Sequence, residues 1–127
     1  MKILFLDDMK ERHDYFQESC IDQDITHVWT SKEAIDKLKT DKFDAIFLDH
    51  DLGGEVYQKS IRGTGCEVAE FIARNDVGTP DIVLHSWNPE GVKNMKNILG
   101  TKDYQVVIDP FPCKHIRMRG FRCLYLK

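Results

Sequence analysis

Short apolar runs alternate along this chain with longer segments in which apolar residues recur every three or four positions. The short runs predict five strands, at residues 2–6, 26–29, 43–48, 81–84 and 104–108. The longer segments predict helices at residues 9–20, 30–38, 66–75 and 88–99. Strands that alternate with helices pair in parallel through right-handed crossovers. The chain is therefore predicted to be an α/β protein with a three-layer, doubly wound, flavodoxin-like sheet of about five parallel strands. Residues 116–126 alternate in polarity and predict an additional C-terminal strand.

Residues that favour helix starts support these boundaries. Thr30 and Glu33 form a capping box before the second helix. Asn88 precedes a proline, which suits the first turn of the fourth helix. Asp8 is expected to cap the first helix, with Glu11 three residues later.

The composition is that of an ordinary soluble domain. With 127 residues, one domain over residues 1–127 is expected. Hydrophobic residues make up 42% of the chain, which argues against disorder, and no apolar run is long enough to cross a bilayer. The four cysteines form no CxxC pair, so a structural zinc site or disulfide framework is not predicted and a reducing cytoplasm is favoured.

Acidic and imidazole side chains follow the carboxyl ends of the predicted strands. Ligands of open α/β sheets bind at this edge, so these residues are candidates for a functional site. They are Asp7, Asp8, Asp49, His50, Asp51, His85, Ser86, Asn88 and Asp109. Carboxylates at one point raise each other's pKa, and a divalent cation relieves that repulsion. Such a site suits Mg²⁺ or Mn²⁺, which would in turn hold a phosphate oxygen.

Several features near these residues have two interpretations. Trp87 is favoured as a packing residue over a platform on which a base stacks. Arg12 either pairs with a site acid or contacts phosphate. The glycine-bracketed stretch at residues 53–65 is predicted to be a mobile loop, and its Lys59 and Arg62 are candidates to close over a phosphate.

Charge is unevenly distributed along the chain. The net charge is -3, yet residues 110–127 hold five of the 18 basic residues and none of the 21 acidic ones. Arg117 and Arg119 share one face if this segment is extended. That face either binds phosphates or protects an exposed strand edge, and the second interpretation is slightly favoured.

The strand-end residues resemble those of receiver domains of two-component response regulators. In that family an acidic pair follows the first strand, a phosphorylated Asp the third, a Ser or Thr the fourth and a Lys the fifth. Asp7-Asp8, Asp49 and Ser86 stand in the first three places. Asp109 stands where the Lys would be, which argues against ordinary phosphorylation signalling.

A closer resemblance extends over most of the chain. The segments LFLDDMKER, FDAIFLDHDLGG, TGCEVAEFIAR and LHSWNPEGVKNM look like the signature of the cyclic-phosphate-processing receiver-like family. LDHDL and HSWNP are the parts that ordinary receivers lack. The resemblance implies a receiver metal pocket converted into a hydrolytic site for cyclic phosphates of nucleotides, RNA ends or ADP-ribose derivatives.

The leading hypothesis is therefore a metal-dependent phosphoesterase that processes the cyclic phosphate of a small phosphorylated ligand or RNA end. The expected metal ligands are Asp7, Asp8, Asp49 and Asp51, the expected proton carriers are His50 and His85, and the expected phosphate contacts are Arg12, Ser86, Asn88, Lys59 and Arg62. Asp49 could instead be a nucleophile that forms an aspartyl-phosphate. The alternative hypothesis is a non-catalytic, degenerate receiver-like module that binds a phosphorylated ligand or a protein partner. Neither hypothesis involves a membrane or recognition of a DNA sequence.

Overall fold

A computed structural model describes residues 1–20, 22–52 and 62–114 of the chain. The strands are β1 (Lys2–Leu6), β2 (Asp24–Val28), β3 (Ala45–Leu48), β4 (Asp81–Leu84) and β5 (Val106–Ile108). The helices are α1 (Lys10–Ser19), α2 (Ser31–Thr40), α3 (Gly65–Arg74) and α4 (Pro89–Leu99). This order confirms the predicted alternation of strands and helices.

All neighbouring strands pair in parallel, in the order β2-β1-β3-β4-β5. This is the flavodoxin-like order, so the predicted doubly wound architecture is confirmed. β2 pairs with one edge of β1, and β3 pairs with the other edge. The strand order therefore reverses direction at β1. Ligands of such folds bind beyond the carboxyl ends of the strands at this switch point. The residues that follow β1 and β3 therefore border the crevice in which a ligand would lie.

Alternate residues of the strands divide the core into two layers. Leu4 and Ile46 belong to the larger layer, which also contains the buried faces of α2, α3 and α4. Phe5 and Phe47 point to the opposite face and pack with Phe16 of α1. The division follows from the two-residue period of a strand, because successive side chains leave opposite faces of the sheet.

Two predicted helix caps are confirmed. The hydroxyl oxygen of Thr30 accepts a hydrogen bond from the backbone N–H of Glu33 at 3.1 Å. The side-chain oxygen of Asn88 accepts from the backbone N–H of Gly91, also at 3.1 Å. Each cap satisfies a donor that the first turn of a helix leaves without a partner inside the helix.

The expected cap of α1 by Asp8 is wrong. Met9 is the N-cap residue, and its side chain forms no capping hydrogen bond. Asp7 instead accepts a hydrogen bond from the backbone N–H of Met9 at 2.9 Å. The turn from β1 into α1 is therefore held by the residue that ends the strand, and one oxygen of Asp7 is fixed at the sheet edge.

Some sequence expectations lie outside the described residues. They concern Lys59 with the glycines at residues 53–54, and the C-terminal strand at residues 116–126 with Arg117 and Arg119. Among the helices that the structure describes, none is long and apolar enough to cross a membrane.

Candidate functional site

The strand register aligns the first residue beyond each of four strands. Leu6 of β1 lies beside Leu48 of β3, Leu48 beside Leu84 of β4, and Leu84 beside Ile108 of β5. The next residues along the chain, all of them buried, are Asp7, Asp49, His85 and Asp109. One row of ionisable residues therefore runs along the carboxyl edge of the sheet, across the switch point.

Three members of this row form a compact group. Oδ2 of Asp7 and Nε2 of His85 are 3.0 Å apart. One ligand atom from each of Asp7, Asp49 and His85 lies within 4.8 Å of the other two. The side chains of Asp7 and His85 are fully buried, whereas that of Asp49 is 6% exposed. Asp49 is therefore the one member of this group of three that has any exposed side-chain surface.

The imidazole of His85 is held in place by stacking on Phe5 and by a hydrogen bond from Nε2 to Asp7. Its ring stacks on that of Phe5, with centroids 4.9 Å apart and planes 7° apart. The contact with Asp7 assigns an N–H to Nε2, which donates to the carboxylate. Nδ1 is buried and has no hydrogen-bond partner among the described residues.

Arg12 covers the acidic group from the first turns of α1. Its Nη1 donates to Oδ2 of Asp7 at 3.3 Å and lies 4.0 Å from Oδ2 of Asp49. The guanidinium also lies over the ring of Phe111, 5.4 Å from the centroid. Because 22% of its side chain is exposed, the positively charged Arg12 is accessible to a ligand from solvent.

The two carboxyl groups have opposite pKa shifts. Burial raises the pKa of Asp49 to about 6, and the neighbouring Asp7 adds to this effect against the opposing charges of His85 and Arg12. Burial also acts to raise the pKa of Asp7, but hydrogen bonds from His85 and Met9 and the charge of Arg12 outweigh it and lower that pKa. Neighbouring carboxyl groups whose pKa values are shifted in opposite directions are common at functional sites.

The donor set of this group fits an oxygen-preferring divalent cation. Asp49 is a buried carboxylate whose charge the surrounding residues compensate incompletely, as its raised pKa shows. Asp7 and Asp49 offer the oxygens that Mg²⁺ and Mn²⁺ prefer. If Nε2 of His85 bound a cation, the ring proton would move to Nδ1, which has no acceptor among the described residues. His85 therefore suits the site better as a donor to Asp7 than as a third ligand.

A second polar group lies at the amino end of α4. Nδ1 of His50 is 2.8 Å from Oδ1 of Asp51, and Nδ2 of Asn88 donates to both oxygens of Asp51 at 3.2 and 3.3 Å. Since the carboxylate accepts, we assign an N–H to Nδ1 of His50, and Nε2 is then the ring nitrogen that faces no carboxylate in this group. His50 packs against Gly91 of α4, whereas His85 packs on the α1 side of the sheet. The two predicted proton carriers therefore have different surroundings.

Gly91→Ala is expected to displace His50. A Cβ atom at position 91 would overlap the buried imidazole ring of His50. We expect a loss of roughly 1–3 kcal/mol in the free energy of unfolding, measured by chemical denaturation. In a His50→Ala background the same change should cost much less, because the ring is gone. An equal cost in both backgrounds would contradict the contact.

The remaining predicted site residues differ in their relation to these groups. Ser86 is buried, and its hydroxyl oxygen accepts from the backbone N–H of Asn88 at 3.0 Å. Asp8 is half-buried and is not a member of the acidic group of three. Arg62 is exposed just before α3, and Lys59 lies outside the described residues.

The sequence patterns missed a second pair of histidines beside the site. Nδ1 of His13 and Nδ1 of His27 are 2.7 Å apart, and Nε2 of His13 donates to the backbone oxygen of Asp7 at 2.8 Å. Burial lowers the pKa of both imidazoles. A signal was available, because His13 lies three residues before Phe16 on the buried face of α1. His13 thus holds the backbone of Asp7, and His27 holds the ring of His13.

Known proteins that resemble this chain in sequence or in structure are receiver domains. A sequence profile for the cyclic-phosphate processing receiver domain matches residues 2–101. A CheY-like receiver domain from Methylobacillus flagellatus has a TM-score of 0.63 at 16% identity and covers 87% of each chain. The response regulatory domain of MrkE from Klebsiella pneumoniae has a TM-score of 0.61 at 20% identity, covering 87% of this chain and 84% of that one. No curated protein matches the sequence.

Proposed function

Because the chain belongs to the cyclic-phosphate processing receiver domain family, we propose that it is a metal-dependent phosphoesterase that opens the cyclic phosphate of a small phosphorylated ligand or RNA end. The observation that carries the proposal is the buried group of Asp7, Asp49 and His85, whose ligand atoms lie within 4.8 Å of one another. Burying two neighbouring carboxylates costs free energy unless a cation compensates them. A purely structural strand end has no need of such a group.

Asp7 and Asp49 would hold Mg²⁺ or Mn²⁺, with Asp8 as a further oxygen donor from the same turn. When bound, the cation would polarise the phosphoryl group and acidify water. His85 donates to Oδ2 of Asp7 and so keeps that carboxylate in place. Arg12 now contacts the carboxylates and would exchange that contact for phosphate oxygens as the cation replaces its charge.

His50 is the proposed proton carrier. Asp51 holds its Nδ1–H, so Nε2 can take a proton from the attacking water and return it to the leaving oxygen. In this step a bond forms between the water oxygen and phosphorus, and one phosphorus–oxygen bond of the ring breaks. The proton passes through His50 to the alkoxide that the ring opening releases.

The phosphate would lie against the start of α4. Ser86 already accepts a hydrogen bond from Asn88, so its hydroxyl hydrogen is the part that can point to a phosphate oxygen. Pro89 has no N–H and the N–H of Gly91 already donates to Asn88, so the backbone N–H of Glu90 is the donor that the first turn of α4 would offer to the phosphate. Lys59 and Arg62 are proposed as further phosphate contacts.

The test is turnover of defined cyclic phosphates. The purified protein is incubated with Mg²⁺ or Mn²⁺ and nucleoside 2′,3′-cyclic phosphates, nucleoside 3′,5′-cyclic phosphates or an ADP-ribose cyclic phosphate. We expect release of a phosphomonoester that needs the cation and is lost in Asp49→Asn. Metal-dependent binding of a cyclic phosphate without any turnover would instead support the non-catalytic binding module.

A further inference from the structure

A cavity of about 400 Å³ opens beside Ser86 and extends between α4 and β5. Its walls are mainly apolar and include Val92, Ile108 and Pro110. Cavities of roughly 300–1,000 Å³ with apolar walls are typical of small-molecule sites. Ser86, which lines the cavity, immediately follows His85 of the acidic group in the chain. The proposed phosphate chemistry uses Ser86 at the edge of this cavity but none of its apolar walls or lysines.

Trp87 forms one wall of the cavity and is unusually exposed for an indole. Trp87 is 63% exposed. The expectation that its side chain packs in the interior is therefore wrong. The ring is nevertheless anchored, because Nε1–H donates to the backbone oxygen of Phe111 at 2.9 Å. An anchored, exposed aromatic face provides a surface on which a nucleobase can stack.

Two lysines give the cavity its charge. Lys93 and Lys96 lie three residues apart on α4 and line the cavity together with Val92. No acidic residue lines the cavity within the part of the chain that the structure describes. Both lysines are exposed, so their ammonium groups can reach an anion at the cavity rim. The cavity thus combines an aromatic surface, apolar walls and positive charge.

We propose that this cavity binds the nucleoside of a nucleotide substrate, with the base stacked on Trp87 and a further phosphate of the same nucleotide against Lys93 and Lys96. The inference rests on the proposed function, because it places the cyclic phosphate at the acidic group next to Ser86. It narrows the substrate from any cyclic phosphate to a nucleoside cyclic phosphate that carries a second phosphate.

The first test uses the fluorescence of Trp87. The chain has two tryptophans, so Trp29→Phe leaves Trp87 as the only indole. Adenosine 2′,3′-cyclic phosphate is expected to quench its emission, whereas glycerol 1,2-cyclic phosphate, which has no base, is expected not to. A 5′-phosphorylated nucleoside cyclic phosphate and a short oligonucleotide with the same end then separate a mononucleotide from an RNA end. No quenching by any of these nucleotides would overturn the inference.

The second test measures affinity by calorimetry. Trp87→Ala is expected to weaken binding of the adenosine ligand roughly 5- to 100-fold and to leave glycerol cyclic phosphate unaffected, while Trp87→Phe retains most of the affinity. Lys93→Gln and Lys96→Gln should weaken only ligands with the second phosphate, and Lys39→Gln on α2 is the matched control. Unchanged nucleotide affinity in Trp87→Ala would overturn the inference, even if the protein hydrolysed cyclic phosphates. Quenching and lost affinity without turnover would support the inference and overturn the proposed enzyme.

Discussion

Asp49→Asn is expected to stabilise the protein at neutral pH when no divalent cation is present. The pKa of Asp49 is raised from 3.8 to about 6, chiefly by burial. The folded state therefore binds this proton more tightly than the unfolded state does. The resulting stability is fully present below pH 3.8 and is lost as pH rises through about 6. The difference between the two pKa values corresponds to about 3 kcal/mol, which the uncharged asparagine would restore.

The measurement is thermal unfolding in a chelator from pH 4 to pH 8. At pH 8 the melting temperature of Asp49→Asn should exceed that of the wild type by roughly 10 °C, and the difference should nearly vanish toward pH 4. Added Mn²⁺ should stabilise the wild type and leave the variant unchanged, because the proposed cation site needs both carboxylates. Asp103→Asn, at an exposed position, is the matched control. A variant that melts below the wild type at pH 8 in chelator would show that Asp49 is not an uncompensated charge.

His50→Asn and His85→Phe are expected to fail in different ways. An asparagine amide can replace Nδ1–H of His50 and keep the hydrogen bond to Asp51, but it has no basic nitrogen. We therefore expect kcat to fall about 10²- to 10⁴-fold with cation binding retained. A phenylalanine can keep the stacking of His85 on Phe5 but cannot donate to Asp7, so cation affinity should fall about 10- to 100-fold.

Titration with Mn²⁺, followed by the paramagnetic resonance of the free ion, separates the two effects from turnover. His85→Gln is the conservative variant, because its amide can reach Asp7 in place of Nε2 and should recover most of the cation affinity. If His85→Phe bound Mn²⁺ as tightly as the wild type, the positioning role of His85 would be wrong. If His50→Asn kept full kcat at saturating cation, His50 would not be the proton carrier.

The elements of the fold were predictable because each has a local cause. The apolar run of β3 and the capping hydroxyl of Thr30 are features of neighbouring residues, and both predictions are confirmed. The first turn of α1 was mispredicted for a local reason as well. An acidic residue before a helix suggests a cap, but the turn after β1 places Met9 at that position and directs Asp7 to its N–H.

The site was predictable only as a set of residues, since contacts between strands depend on lateral order and register. Nothing within the segment around residue 85 indicates that His85 touches Asp7, which is 78 positions away in the chain. The same applies to His13, which reaches the backbone of Asp7 because α1 packs on that face of the sheet. The surface of Trp87 is likewise a property of the packed structure, because its exposure depends on α4, β5 and Phe111.

The sequence by itself determined which residues reach the carboxyl edge of the sheet. Each parallel strand ends where its apolar run meets polar residues, and all such ends point the same way. Only the tertiary structure divided these residues into an acidic group around Asp7 and Asp49 and a separate group around His50 and Asp51. The reason is that side chains beyond a strand end follow the local turn and the packing of the next helix, and both depend on contacts between distant parts of the chain.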